Sequence, residues 1–99
     1  MAVTWYWGLA RLLALAGIDF DEVADLFYAW LRGERRLWFI PAVDDATGLK
    51  PAVLVGRTDT GEVLVVLARI DGRDIYIINA SRPSTELMAD FEAWEARND

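Results

Sequence analysis

The residues best suited to chemistry in this chain are arginines and carboxylates, because it contains neither His nor Cys. Without them the commonest general base is missing, as are thiolate nucleophiles and the usual nitrogen and sulfur metal ligands. Histidine-dependent triads and disulfides are excluded, a zinc site would need carboxylates alone, and neither a metal nor a cofactor is expected. Guanidinium chemistry remains. An Arg fork holds a phosphate and stabilises charge developing on it, while a carboxylate takes the proton of an attacking hydroxyl. Arg57 and Arg82 are the candidate phosphate groups, with Glu22 or Glu86 as the base. Ser84 and the backbone donors at the start of the last helix add to the anion site. Arg69, near the Asp71-Gly72 turn, is a further contact. Each also has an ordinary role. An Arg at a hairpin is usually solvated, Arg82 can pair with Glu86, and Glu22 suits a helix N-terminus.

Arg32, Arg35 and Arg36 form the one basic cluster, with Trp30 and Trp38 interleaved. Arginines beside aromatic rings can neutralise and stack a single nucleic-acid strand, so Arg35 and Arg36 are candidate RNA contacts. The same cluster is commonly just a solvated helix end. Sixteen acidic and ten basic residues give a formal charge of −6. The default is therefore repulsion from nucleic acid and anionic membranes, and binding to RNA would need a local basic face.

The elements that must position these groups read clearly. Residues 1–99 make a single domain. Hydrophobic residues are 55% of the chain, including five Trp, enough for a dense core or for an apolar surface covered by a partner. Val3 to Trp7 suits a short edge strand, and Leu9 to Ala16 a helix stopped by Gly17. Asp19 or Asp21 caps a second helix, Phe20 to Arg32. Its Phe20, Val23, Ala24, Phe27, Trp30 and Leu31 recur at helical spacing, and Gly33 ends it. Strands follow at Leu37–Ala42, Ala52–Gly56, Glu62–Arg69 and Arg73–Asn79, with turn signals at 43–49, at Thr58–Gly61 and at Asp71-Gly72. Glu62 to Arg69 is nearly continuous apolar, as in a central strand covered on both faces. Tight loops make successive strands antiparallel. Ser84 or Thr85 caps a last helix with an apolar stripe of Leu87, Met88, Phe91 and Trp94.

Several of these segments together resemble a known family. They are Gly17-Ile18-Asp19-Phe20-Asp21-Glu22-Val23, Val55-Gly56-Arg57-Thr58 with Gly61 and Leu64-Val65-Val66, and Ile77-Ile78 leading to Arg82-Pro83-Ser84-Thr85. The pattern is similar to that of the BrnT family, small toxins of bacterial toxin–antitoxin pairs, over roughly residues 9–94. The resemblance implies an α+β fold like that of the RelE ribonucleases. Two N-terminal helices would precede an antiparallel β-meander of three to four strands and a C-terminal helix. It also implies a toxin that cleaves mRNA and is neutralised by a cognate antitoxin. On that reading RNA is bound through Arg57, Arg69 and Arg82, with Arg57 and Arg82 forming a phosphate clamp if strand order brings them to one sheet face, and the cut is a metal-independent transphosphorylation.

The N-terminal helix suggests a different use of the scaffold. Leu9, Leu12, Leu13, Leu15 and Ile18 cannot all face one core stripe, and Trp5 and Trp7 add to the apolar surface. Trp5, Trp7, Leu9, Leu12 and Leu13 are therefore a candidate partner interface, for a homodimer or an antitoxin. The alternative function is a non-catalytic protein–protein interaction domain. No apolar run reaches the ~18 residues of a membrane span. Arg11 interrupts the run from Ala10 to Gly17, and no charged segment precedes it, so it reads as part of the fold rather than as a leader. A cytoplasmic location without membrane contact is expected.

Overall fold

The computed structural model describes residues 3–41, 51–71 and 74–98. The turn expected at 43–49 lies outside the described residues, as do Gly72 and Arg73. The elements run β1 (Val3–Trp5), α1 (Leu9–Leu15), α2 (Phe20–Leu31), β2 (Trp38–Pro41), β3 (Pro51–Arg57), β4 (Val63–Asp71), β5 (Asp74–Ser81) and α3 (Thr85–Asn98). The fold is α+β. Its sheet has five strands in the order β1-β5-β4-β3-β2, and β4 is central as its apolar run required. β2 to β5 form the expected antiparallel meander. The fifth strand comes from the N-terminus. β1 adds to the edge beside β5 and runs parallel to it, Val3 opposite Ile75, which is possible because the whole chain between them serves as the crossover.

The two faces of the sheet bury different helices. Alternate residues Ala52 and Leu54 of β3, Leu64, Val66 and Ala68 of β4, and Ile75, Ile77 and Ala80 of β5 pack under α1 and α2. An irregularity opposite Leu67/Ala68 shifts the β5 register by one residue. That shift keeps Ala80 on the same face as Ile75 and Ile77, which strict alternation would not. The opposite residues Val53, Val55, Val63 and Val65, with Trp38 and Ile40, pack against Leu87, Met88, Phe91 and Trp94 of α3.

Local chemistry sets the helix ends. The Asp19 side chain accepts a hydrogen bond from the Asp21 N–H at 2.9 Å and starts α2. Asp19→Ala should cost about 1 kcal/mol, read as a lower urea midpoint at unchanged slope. Gly17, with φ of 71°, turns the chain between α1 and α2 through a region that penalises side chains. Ser84 Oγ accepts from the Leu87 N–H at 3.2 Å and caps α3. Gly56 has a different reason to be glycine. A Cβ there would lie 2.5 Å from Leu37 Cδ2 and 3.0 Å from Leu26 Cδ1, so its absence lets α2 and the start of β2 close onto β3 next to Arg57.

One expectation needs correction. Leu9 and Leu13, proposed for the partner interface, are fully buried in the core. They lie four residues apart on the inward side of α1, against β5 and α2. Leu12 (38% exposed) and Leu15 (80%) point outward, and Trp5 (41%) and Trp7 (87%) are exposed as well. No helix among the described residues is long and apolar enough to cross a membrane.

Candidate functional site

Arg57 is the last residue of β3 and shares a face with Val53 and Val55, so its side chain projects toward α3. There it meets Glu95 in a bidentate pair, Nε to Oε2 at 2.9 Å and Nη2 to Oε1 at 2.8 Å. Its Nη1 donates to the Gly61 carbonyl at 2.9 Å, and its guanidinium stands 5.7 Å from the Phe91 ring centroid. The hydrogen bond to Glu95 raises the Arg57 pKa above its ordinary value against a smaller cost of desolvation, and the charges of Glu95 and Glu92 add to it. Arg57 is therefore a fixed cation at any physiological pH.

Arg35 is held from another direction. Its Nη1 donates to the Arg57 and Thr58 carbonyls, each at 3.2 Å, and its Nη2 pairs with Asp59 at 2.8 Å. These bonds tie the segment between α2 and β2 to the β3–β4 hairpin. That hairpin is closed by Thr58 N–H to the Glu62 carbonyl at 2.8 Å and Gly61 N–H to the Thr58 carbonyl at 2.9 Å. Glu34 pairs with Arg32 at 3.1 Å, and the hydrogen bond holds its carboxyl below the usual range.

Between these segments and α3 lies a cleft of about 320 Å³ lined by Gly33, Glu34, Arg35, Arg36, Arg57, Phe91, Trp94 and Glu95. Three arginines and two aromatic residues line it, and the Arg57 guanidinium lies over the Phe91 ring. Trp38, Phe91 and Trp94 lie nearly parallel, with Trp38 and Trp94 at 17° and 6.1 Å and Phe91 and Trp94 at 19° and 5.7 Å. The cleft can bind an anion through Arg fork geometry, offer an aromatic plane to a flat group, and present the Glu95 carboxylate beside both.

The remaining candidates lie elsewhere. Arg82 pairs with Glu62 at 2.6 Å and donates to the Gly17 carbonyl at 3.4 Å. It thus reaches toward the α1–α2 connection, while Arg57 reaches toward α3. The clamp expected from Arg57 and Arg82 is not formed: both start from the same end of the sheet, but β3 and the segment after β5 send their side chains to opposite layers. Arg82 also pairs with Glu62 rather than Glu86. Glu22 sits in the first turn of α2 and Glu86 in the first turn of α3, and neither lines the cleft. Ser84 serves as the cap of α3. Arg69 lies over the Tyr76 ring at 5.3 Å, one strand over on the sheet.

The sequence names Arg35, Arg36 and Arg57 as separate candidates, and the structure brings them to one cleft with Trp94 and Glu95, which were not among the candidates. Spacing alone does not set Glu95 apart from Glu86, Asp90 and Glu92 on the same helix. The available signal was its adjacency to Trp94, whose place on the apolar stripe of α3 turns the next residue toward the flank of the sheet. No protein family model, no curated protein and no solved structure matches the chain.

Proposed function

We propose that the chain is a small ribonuclease toxin that binds a single RNA strand in the cleft between the α2–β2 segment and α3. The observation that carries this reading is the convergence of Arg35, Arg36 and Arg57 on Phe91, Trp94 and Glu95. It gathers three guanidinium groups and two aromatic rings in an otherwise acidic chain, with Glu34 and Glu95 among them as exchangeable anions. The sequence resemblance to BrnT toxins supports the same reading. Arg57 holds the scissile phosphate and Arg35 and Arg36 offset charge on its neighbours. Glu95 accepts the 2′-hydroxyl proton, and O2′ attacks phosphorus to give a 2′,3′-cyclic phosphate. The bond to the 5′-oxygen breaks and that oxygen takes a proton from water. No metal enters these steps. The antitoxin is a protein that stops the cleft from receiving RNA. Induction in bacteria should arrest growth, and the purified protein should convert RNA to cyclic-phosphate ends. Intact RNA after prolonged incubation with the folded protein would overturn the proposal.

A second reading rests on another observation. Trp7 is 87% exposed and Leu15 80%, and Trp5 and Leu12 are also exposed. Within residues 3–18 the only charged side chain is Arg11. Such a surface suits a non-catalytic interaction domain that pairs with a second copy of itself, since little charge is desolvated there. Replacing Trp7 and Leu15 together with Ser should leave the unfolding free energy within about 0.5 kcal/mol and abolish concentration-dependent association in sedimentation. Equal sedimentation of parent and variant at all concentrations would remove this reading.

A further inference from the structure

We propose that the cleft takes one unpaired nucleotide, its base against Trp94 and its phosphate on the Arg57 fork in the place now held by Glu95. The inference rests on the ribonuclease reading for the identity of the ligand and adds to it how the site is kept closed. The Arg57–Glu95 geometry is the first support. Both carboxylate oxygens accept from one side of the guanidinium at 2.8 and 2.9 Å. This is the arrangement that two phosphate oxygens adopt on an Arg fork. Glu95 is thus an internal anion occupying the phosphate position. An incoming phosphodiester exchanges with it and leaves the carboxylate released beside the sugar, where a base is needed.

The exchange is feasible because the pair is not sealed. The Arg57 and Glu95 side chains are 34% and 28% exposed, so a phosphate oxygen can reach the guanidinium from solvent and water can take up the displaced carboxylate. Arg57 also stays in position when Glu95 leaves, because Gly61 still holds Nη1 and Phe91 still lies beside the guanidinium.

The ring stack is the second support. Trp94 is half-buried and lines the cleft. Trp38 and Phe91 lie nearly parallel to it and fix its plane. A rigid indole at the wall of an arginine-lined cleft suits a nucleobase whose face is free. In a duplex those faces are already stacked, so the ligand is single-stranded. The volume, about 320 Å³, lies at the small end of ligand sites, roughly 300–1,000 Å³, and suits one nucleotide unit rather than several.

A short single-stranded 2′-deoxy oligonucleotide tests this directly, because it lacks the nucleophilic hydroxyl and reports binding alone. Glu95→Gln should tighten its binding by about fivefold, the removal of a competing anion of surface ion-pair strength. The same variant should lose cleavage of the matching RNA. Trp94→Ala should weaken binding at least about fivefold, and Trp94→Phe, which keeps a ring in the aromatic stack, should retain most of it. The same oligonucleotide as a duplex should bind more weakly than the single strand. Unchanged or weaker binding by Glu95→Gln, or equal binding by parent and both Trp94 variants, would overturn the proposal. If the parent cleaves RNA but Glu95→Gln binds no tighter, the exchange fails while the ribonuclease reading stands. If Glu95→Gln binds tighter but the parent never cleaves RNA, the nucleotide subsite stands and the ribonuclease reading fails.

Discussion

Arg57→Gln should lower the rate of RNA cleavage by roughly 10²–10³-fold, the usual cost of removing a preorganised donor from developing charge. The fork keeps its geometry when a phosphate takes the place of Glu95, because the Gly61 carbonyl and the Phe91 ring still hold it. Little reorganisation remains to be done at the moment of reaction, and this is why the expected loss is large. Stability should change far less. The pair is partly exposed on both sides, so its loss should cost about 1 kcal/mol. Arg57→Lys keeps the charge without the planar fork and should recover only part of the rate. Single-turnover cleavage of a labelled oligoribonucleotide, with a urea titration of each variant, separates the two effects. A rate loss that simply tracks the loss of folded protein would assign Arg57 a purely structural role.

Phe91→Ala should be the most destabilising single truncation in α3, at about 3–5 kcal/mol. That is a large part of the ~5–15 kcal/mol that holds a typical domain folded. Phe91 is 1% exposed, while the other apolar residues of the α3 stripe are only partly buried. It touches Trp38 and Trp94 and lies beside Arg57. Removing the ring leaves a cavity at the centre of the smaller core and takes away the wall of the cleft. The larger core, under α1 and α2, contains none of these residues. Amide exchange should therefore accelerate in Thr85–Asn98 well before it does in β4. Uniform acceleration across both cores would show that α3 unfolds only with the rest of the domain.

The path from sequence to structure was direct wherever one residue type had one local use. Gly17 and Gly33 end helices at positive φ, Asp19 caps α2, and the apolar run of β4 makes it the central strand. It was less direct where the outcome depends on the third dimension. In α1 nearly every residue is apolar, so the periodicity does not separate inward Leu9 and Leu13 from outward Leu12 and Leu15. The register shift in β5 lies in an apolar stretch, Ile77-Ile78, that reads equally well as straight strand. Arg57 and Arg82 both belong to one end of the sheet, and only the parity of β3 against the path after β5 parts them. The cleft itself combines three separate stretches of chain. Nothing local to residue 95 announces a partner at residue 57.

The parallel pairing of β1 with β5 has a consequence for how the molecule comes into being. Val3 meets Ile75 across more than seventy residues of intervening chain. β1 is therefore made well before the strand it pairs with, and stays without that neighbour until β5 is complete. Closing so long a loop also favours slow maturation, in the millisecond-to-second regime typical of non-local pairing.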